Sequence, residues 1–425
     1  MKFHWFAEVT YPDLPADFPQ RHDSSWVDIP ASLADPRRVG EVYRMFVRLM
    51  VQADRWGFDG LAVNEHHQTS FAMTPSPNLL AASLASMTER AAILVIGDSL
   101  ALYNPPTRVA EELAYLDCLS DGRVIAGFVF GTPMDSTFSY GVPPVELRDR
   151  VNEARELVLR AWREPEPFAF NGRYTKLRYV NVWPRPIQQP PPIWVPGSGS
   201  VETWDLVTDN DYCYGHLSFS GLRAARPVVE GYWDHVASRG GNLNPHRMAF
   251  TQICCVAPTD ADAERLYADA VRYFYTHNPQ AARFLAPPGY HTPATMVAQF
   301  ARGNAGLSAE DRRRAASGEM SFWEYDEKGY IVAGTPERVR QRLRELAVDL
   351  RVGQLIATLH MGDLAEEVAA MNTELFGREV IPYLRDLWAD EEDRWTPMAS
   401  QRRVAAAASA PAAASAPAMP GGGGA

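Results

Sequence analysis

The chain has 425 residues, of which 46% are hydrophobic and 22% charged, and its formal net charge is −11. This composition is typical of a globular protein, and the acidic balance argues against a nucleic-acid partner, whose phosphates need a basic face. No apolar run reaches the ~18 residues that cross a bilayer. The start of the chain enters a strand-like segment without a secretory signal. We therefore expect a soluble, cytoplasmic protein that binds neither nucleic acid nor membrane.

Short runs rich in β-branched and aromatic residues alternate with longer amphipathic segments along the chain. Eight runs are predicted strands: 2–9, 58–63, 93–96, 124–129, 193–195, 212–217, 250–256 and 354–359. Each is followed by apolar residues three or four apart, which predicts a helix, and Thr335 before Pro336 is typical of a helix start. Eight sequential βα units close most simply into a (β/α)₈, or TIM, barrel. An open doubly wound sheet is disfavoured because no GxGxxG follows the first strand.

Three segments interrupt this pattern. Residues 11–36 are rich in Pro and Asp and too long for a simple turn, so we interpret them as part of a substrate-covering lid carrying His22 and Trp26. Residues from about 278 to 330 are polar and irregular, which indicates an insertion. The end of the chain is dominated by Ala, Pro, Ser and Gly and is predicted to be disordered. We assign residues 1–388 to one barrel domain and 389–425 to a disordered tail.

The first candidate for chemistry is the run Glu65, His66 and His67 after the second strand. In such a barrel the active site lies at the C-terminal ends of the strands, and histidine beside a carboxylate suits acid–base work. Local packing or capping by a histidine is the alternative, and the residues alone leave both open. A metal site is disfavoured because adjacent residues of an extended strand point in opposite directions, and no HExxH is present.

The cysteines indicate neither a metal nor a redox site. None has CxxC spacing, and the two adjacent ones would form a strained disulfide, so we expect four buried, reduced thiols. They are Cys118, Cys213, Cys254 and Cys255.

The second candidate is the loop Gly197, Ser198, Gly199 and Ser200, between the fifth strand and its helix. Small residues let backbone N–H groups approach an anion, and a helix N-terminus adds a favourable field. The loop therefore suits the phosphate of a nucleotide cofactor, although most Gly/Ser-rich loops are simple turns. A serine hydrolase is disfavoured because there is no GxSxG motif.

Eleven short motifs stand in a fixed order along the chain, at 58–60, 64–67, 77–80, 88–90, 108–113, 116–117, 119–123, 170–174, 189–193, 334–337 and 375–382. No single motif is specific. Their ordered set resembles the luciferase-like monooxygenases over about residues 1–388.

The resemblance implies a TIM barrel, a homodimer and a flavin at the C-terminal mouth, either FMN or, in one branch, a deazaflavin. Oxygenase members accept reduced FMN from a separate flavin reductase, form a flavin C4a-peroxide with O₂, and oxidise a small substrate. His66 matches the catalytic histidine, with Glu65 orienting or supporting it. The loop Gly197–Ser200 matches the phosphate side.

Two further positions carry cofactor-binding expectations. The family commonly has a non-prolyl cis peptide under the flavin ring after strand three, and here the resemblance places it at Asp98–Ser99. Phe130 stands where bacterial luciferase has an arginine that reaches the flavin phosphate. Phosphate binding must then rest on the loop after strand five and on other cations.

The leading hypothesis is an FMN-dependent, two-component monooxygenase that oxidises a small hydrophobic substrate. A deazaflavin-dependent dehydrogenase on the same fold is the first alternative, and a non-catalytic flavin-binding protein is the second. The hydrophobic substrate is inferred from aromatic residues near the strand ends, each of which suits the core at least as well: Trp5, Phe6, Phe71, Phe128, Phe130 and Tyr140.

Overall fold

Eight parallel strands close into a barrel in the computed structural model, which describes residues 1–278, 280–302 and 309–409. The strands of the described chain are β1 (Lys2–Phe6), β2 (Gly60–Val63), β3 (Ala92–Ser99), β4 (Val124–Val129), β5 (Phe168–Asn171), β6 (Lys176–Val180), β7 (Ile193–Gly197), β8 (Cys213–His216), β9 (Met248–Val256), β10 (Ile331–Gly334) and β11 (Gln354–Thr358). The barrel runs β1–β2–β3–β4–β7–β8–β9–β11 and closes from β11 to β1. The predicted TIM barrel and its eight strands are confirmed.

Helices surround the barrel, and their bounds follow the amphipathic segments of the sequence. They are α1 (Phe18–Arg21), α2 (Pro36–Arg55), α3 (Pro77–Met87), α4 (Thr107–Leu119), α5 (Leu147–Arg163), α6 (Val201–Asp209), α7 (Leu222–Ser238), α8 (Asp260–Thr276), α9 (Ala282–Leu285), α10 (Pro293–Arg302), α11 (Ala309–Ala316), α12 (Phe322–Glu327), α13 (Pro336–Asp349), α14 (Glu366–Leu375) and α15 (Met398–Ser409).

Burial explains why these segments form a barrel. All eight residues of β3 and all nine of β9 are buried, as expected for parallel strands covered on both faces. Helix α2 turns Val42, Phe46, Leu49 and Ala53 inward, at a spacing of three or four residues. The predicted cap of α13 is confirmed, because the Thr335 side chain accepts a hydrogen bond from the Arg338 backbone N–H.

Two additions to the barrel were not predicted. Strands β5 and β6 form an antiparallel hairpin outside it, and β10 pairs in parallel with the end of β9. The predicted insertion contains α9 to α12 and leads into β10. Strands β5 and β6 were missed because they are four or five residues long and no barrel-type helix follows them, and β10 was missed because it has only four residues and follows the irregular insertion.

The packed chain extends beyond the predicted boundary at residue 388. Trp395 is buried; the Trp194 indole donates to its carbonyl at 2.9 Å, and its own indole donates to the Asp211 carbonyl at 2.8 Å. Residues 410–425 of the predicted tail lie outside the described residues. Over the part of the chain that is described, no helix is both long and apolar enough to cross a membrane.

Candidate active site

The residues after β2 turn alternately to opposite sides, which separates the two histidines. His66 Nδ1 lies 2.8 Å from Asp135 Oδ2, whereas His67 Nε2 lies 2.8 Å from Glu65 Oε1. The prediction that Glu65 supports His66 is therefore corrected: Glu65 pairs with His67. The reason is the alternation of an extended chain, which places positions 65 and 67 on one side and 66 on the other.

Asp135 is the carboxylate that holds His66, and the sequence analysis missed it. It lies in a wide helical turn, Met134–Ser139, six residues after β4, and also accepts hydrogen bonds from the His67 backbone N–H (2.7 Å) and the Thr132 hydroxyl (2.9 Å). These contacts fix both carboxylate oxygens. Only its position beyond a strand end could have indicated it, since no motif around it is distinctive.

Burial and ion pairing act in opposite directions on this pair. Burial lowers the pKa of His66, but the charge of Asp135 and its hydrogen bond outweigh burial, so the net pKa is raised. Burial likewise raises the pKa of Asp135, yet the imidazolium of His66 and three hydrogen-bond donors lower it overall. The geometry therefore favours a charged His66–Asp135 pair near neutral pH.

His66 retains an accessible edge. Its side chain is 16% exposed, and no hydrogen bond joins Nε2 to any of the described residues. With Nδ1 held by Asp135, Nε2 is the nitrogen through which His66 can exchange a proton with a bound molecule.

His67 and Glu65 belong to a closed hydrogen-bond network. The Tyr140 hydroxyl lies 3.1 Å from His67 Nδ1, the Tyr103 hydroxyl lies 3.1 Å from Glu65 Oε1, and the Ser99 backbone N–H donates to Glu65 Oε2 at 2.5 Å. Both His67 nitrogens are thus occupied. This arrangement leaves His66 as the histidine of the pair that is free to act.

Asp98 and Ser99 lie inside the same network. Asp98 is fully buried and accepts from Asn78 at 2.9 Å; burial raises its pKa well above the usual range, and the neighbouring Glu65 raises it further. Ser99 contributes its backbone N–H to Glu65. The structure thus joins both residues to the network around Glu65, through Asp98 Oδ1 and the Ser99 backbone N–H, whereas Asp98 Oδ2 is buried without a hydrogen-bond partner among the described residues.

The predicted cis peptide at Asp98–Ser99 is wrong. The non-prolyl cis peptide joins Ile96 and Gly97. Around it the pairing of β3 with β4 shifts register between Val95 and Asp98, and a Cβ at position 97 would lie 2.3 Å from the Gly127 carbonyl oxygen. The resemblance was placed two residues too late because the sequence-based strand ended at residue 96, whereas β3 continues to Ser99.

The long loop 11–36 reaches this site through Trp26. The indole ring meets His66 edge-on, with ring centroids 4.6 Å apart, and its N–H donates to Asn278 Oδ1 at 2.9 Å. His22, the other residue assigned to the lid, stacks on Phe18 instead, with centroids 4.7 Å apart. Of the two, only Trp26 contacts the candidate catalytic residue.

The Gly/Ser loop ends β7 and begins α6, as predicted. Gly199 has φ of +106°, a conformation that side chains disfavour, which explains glycine there. Ser200 stands at the N-cap of α6 and its hydroxyl lies 2.6 Å from Thr203 Oγ1, while the Val201 backbone N–H donates to Thr295 Oγ1 at 3.2 Å. Gly197 and Ser198 complete this turn at the mouth.

Arg148 supplies a cation next to that loop, and the sequence analysis missed it. Its guanidinium lies 4.7 Å from the Phe130 ring centroid and 3.8 Å from the carboxylate of Glu202, in the first turn of α6. Its Nε and Nη1 are buried and have no hydrogen-bond partner among the described residues. A partly buried guanidinium with two unpaired nitrogens fits a phosphate well. The aromatic Phe130, in place of a cation, is the sequence signal that pointed to a neighbouring one.

Cys213, Cys254 and Cys255 are buried, but Cys118 is exposed, which corrects the expectation for that residue. Its position near the end of α4 places it at the surface, where its Sγ lies 3.2 Å from the Arg185 carbonyl. Within the described ranges, no group of three or more His, Cys, Asp or Glu could hold a metal ion.

Comparison with known proteins gives the family. The sequence model described as luciferase-like monooxygenase matches residues 23–353. The chain belongs to this family. The resemblance seen in the motifs is thereby confirmed, and so is the enzyme class it implied, a flavin-dependent oxidoreductase.

Individual relatives include both FMN and F420 proteins. The oxygenase component of a flavin-dependent trigonelline monooxygenase from Acinetobacter baylyi is 29% identical over 320 residues, covering 68% of this chain and 86% of that protein. The oxygenating constituent of 3,6-diketocamphane monooxygenase from Pseudomonas putida, solved in complex with FMN, has a TM-score of 0.65 at 21% identity, covering 84% of this chain and 96% of its own. An F420-dependent secondary alcohol dehydrogenase has a TM-score of 0.59 at 16% identity, and the match covers 91% of this chain and 99% of that protein. Such structural likeness shows the shared barrel.

Proposed function

We propose that this protein is the oxygenase component of a two-component system, which uses reduced FMN and O₂ to oxidise a small organic substrate. The observation that carries the proposal is the buried His66–Asp135 pair at the barrel mouth, with His66 Nε2 accessible. A related protein is named as an oxygenase component, and a structure of the same fold was solved with FMN. A separate flavin reductase would supply the reduced flavin.

The residues of the chain fit FMN in two places. Arg148 and the loop Gly197–Ser200 would hold the phosphate, because the guanidinium has free donors and the loop opens a helix. We also assign Asp98, Ser99 and Phe130 to the flavin site, because Asp98 and Ser99 end β3 within the hydrogen-bond network around Glu65 and Phe130 lies against Arg148. When bound, reduced FMN supplies the electrons with which O₂ is activated.

The protein side chains would position the reactants and handle protons. Asp135 holds Nδ1 of His66, which orients the ring and favours its charged form, so Nε2 can donate a proton to the substrate or to developing negative charge. Glu65 keeps His67 fixed. Trp26 covers His66 and limits the access of water, which favours productive use of O₂.

The substrate side of the mouth is aromatic. Trp26 packs on Phe71 with ring centroids 5.1 Å apart, Phe71 on Phe274 at 5.3 Å, and Phe274 on Phe219 at 5.0 Å. These rings form one continuous aromatic wall that begins at His66. We infer from it an apolar or aromatic substrate body. Of the aromatic residues on which the sequence-based inference rested, Phe71 belongs to this wall, whereas Trp5, Phe6 and Phe128 are buried in the core.

The apolar residues exposed on α3 and α4 support the expected homodimer. Leu79 is 73% exposed, and Met87, Tyr115 and Leu119 are also exposed on these two packed helices. We infer that a second copy covers them. Sedimentation of the wild type and of Tyr115→Glu tests this inference: the wild type should sediment as a dimer and the variant should shift toward the monomer. A monomeric wild type would contradict it.

The decisive experiment separates the proposed reaction from its two alternatives. The full chain is titrated anaerobically with reduced FMN and, in parallel, with a reduced deazaflavin, and O₂ is then admitted with apolar and aromatic candidate substrates present. Free reduced FMN reacts with O₂ unaided, so the readout is oxygenated product and not O₂ uptake. The proposal predicts that reduced FMN binds and that product forms, whereas the deazaflavin gives neither. Preferential binding of the deazaflavin would instead support the dehydrogenase. Binding of FMN with no product from any candidate would support a non-catalytic flavin-binding protein.

A further inference from the structure

Glu8 is a buried carboxyl at the barrel mouth that the proposed reaction does not use. It follows β1 by two residues and is only 5% exposed. Its Oε2 accepts a hydrogen bond from Asn64 Nδ2 at 2.6 Å, and Asn64 Oδ1 in turn accepts from the Thr74 hydroxyl at 2.9 Å. The Asn64 amide is therefore locked with its N–H donor toward Glu8.

No lysine or arginine compensates the charge of Glu8 within the described residues. The cation whose field acts on it is His66, but the ion-pairing nitrogen of His66 is already held by Asp135, and burial raises the pKa of Glu8. An acid placed in this way is costly to ionise unless a cation accompanies it. One hydrogen bond from Asn64 satisfies only part of its capacity as an acceptor.

The two sides of the mouth carry different ionisable groups. The carboxyls of Glu8, Glu65, Asp98 and Asp135 lie on the side of His66, with two imidazoles as the nearby basic groups. The partly buried guanidinium of Arg148 lies elsewhere, against Phe130 and the start of α6. An anionic group is thus favoured beside Arg148, and a cationic group is favoured beside Glu8.

The aromatic wall of Trp26 and Phe71 is tied to the segment that carries Glu8. The Thr10 hydroxyl, two residues after Glu8, donates to the Phe71 backbone carbonyl at 2.7 Å. Phe71 packs on Trp26, which in turn contacts His66. Aromatic faces attract cations, so the wall and the carboxyl favour the same kind of ligand.

We propose that Glu8 is a specificity-determining residue, which selects substrates with a positively charged nitrogen on an apolar or aromatic body. The nitrogen would pair with the Glu8 carboxylate, and the body would lie against Trp26 and Phe71. The proposal rests on the proposed function for the location of the site and adds the chemical class of its substrate.

A matched pair of probes tests the proposal. N-methylquinolinium is cationic, whereas 4-methylquinoline has the same size and is neutral at mildly alkaline pH. Their dissociation constants are measured by calorimetry on the full chain with FMN present. We expect the cation to bind at least about tenfold more tightly than the neutral probe, as a close charge pair provides.

Three variants make the result specific to Glu8. Glu8→Gln keeps an acceptor for Asn64 but removes the charge, and should bring the two dissociation constants to within about twofold of each other. Glu8→Asp, whose carboxylate is withdrawn by one methylene, should weaken the preference, and Glu367→Gln, at an exposed site on α14, should retain it in full. Melting temperatures establish whether each variant is folded. If Glu8→Gln is unfolded, Glu8→Asp provides the test.

The contradicting outcomes are equally definite. A wild-type chain that binds both probes equally, or binds neither, overturns the proposal, as does a cation preference that survives in Glu8→Gln. An unfolded Glu8→Gln together with a Glu8→Asp that has lost the preference supports it. Reduced-FMN binding and the formation of oxygenated product from a candidate substrate are measured on the same samples. If these remain while the cation preference is absent, the inference about Glu8 fails and the oxygenase function stands.

Discussion

The two ends of the active-site mouth differ in how far the protein satisfies its own polar groups. Around His66, partners within the chain hold Nδ1, both oxygens of Asp135 and both nitrogens of His67. Around Arg148, by contrast, two guanidinium nitrogens are buried without a partner among the described residues.

This difference separates preorganisation from binding. Groups that stabilise charge during a reaction act best when their positions are fixed in advance, because no reorganisation then accompanies the reaction. A buried cation with unused donors is instead stabilised when an anion arrives. We therefore expect substitutions at the His66 end to change the reaction rate and substitutions at the Arg148 end to change flavin affinity.

The largest effect is expected for His66→Asn. Loss of the acid–base group should lower the rate of substrate oxidation by ~10²–10⁴, while the dissociation constant for reduced FMN stays within about twofold. Steady-state kinetics and a flavin titration measure the two quantities. His22→Asn is the matched control, because His22 stacks on Phe18 away from the site, and it should leave both unchanged. A rate within about threefold of wild type in His66→Asn would exclude His66 as the catalyst.

The opposite pattern is expected for Arg148→Met. Removing charge-assisted hydrogen bonds to the phosphate, each worth about 1.5–3 kcal/mol, should raise the FMN dissociation constant by roughly 10- to 100-fold. The rate at saturating FMN should change little. Arg150→Met is the control on the same helix, since Arg150 is paired with Glu146 and stacked on Tyr174. Unaltered FMN affinity in Arg148→Met would show that the phosphate lies elsewhere.

The sequence predicted the barrel and one end of the mouth far better than the other. The eight strands follow from periodic burial, and Glu65, His66 and His67 lie at a strand end in a recognisable order. Arg148 could not be placed, because it lies in the first turn of α5, eighteen residues after Phe130, and its neighbour is set by tertiary packing.

Partners of the histidines were hard to predict for the same reason. Asp135 meets His66 across 69 residues of chain, and sequence adjacency suggested Glu65 instead. The hydrogen bond between Trp26 and Asn278 spans 252 residues. The sequence therefore showed that the loop 11–36 is long, but it could not show that Asn278 holds it in place. Such contacts depend on barrel closure, which local periodicity does not encode.

The titration of His66 tests whether Asp135 sets its charge. Burial lowers the pKa of His66 and Asp135 raises it above the ordinary value, so Asp135→Asn should leave burial dominant and move the titration of His66 to lower pH. NMR of ring-labelled histidine measures the shift directly. A His66 titration that does not move would show that Asp135 does not control its charge.

The sign of the stability effect follows from the same pair. The pKa of His66 is higher in the folded protein than in the unfolded chain. Its contribution to the free energy of unfolding is therefore complete below the unfolded pKa near 6.5 and is lost as pH rises through the folded pKa. Because the pKa of Asp135 is lowered, its contribution is present above 3.8 and is lost as pH falls through the folded value. Asp135→Asn should therefore destabilise the protein most between these limits, as thermal unfolding at several pH values will show.

The smallest effect is expected at the hydrogen bonds that hold Trp26 over His66. Asn278 Oδ1 accepts from the Trp26 indole at 2.9 Å and from the Ser25 hydroxyl at 3.2 Å. Asn278→Ala removes both bonds while leaving Trp26 in place. Each is worth about 0.5–1.5 kcal/mol, so the loop should open several-fold more often. Since an open mouth admits water, the fraction of O₂ consumed without substrate oxidation should rise by roughly two- to tenfold, with the FMN dissociation constant unchanged.

Gln280→Ala is the control, because that side chain makes only a 3.4 Å contact with Asn278. Unchanged coupling in Asn278→Ala would mean that Trp26 is held by its packing on Phe71 and His66 alone.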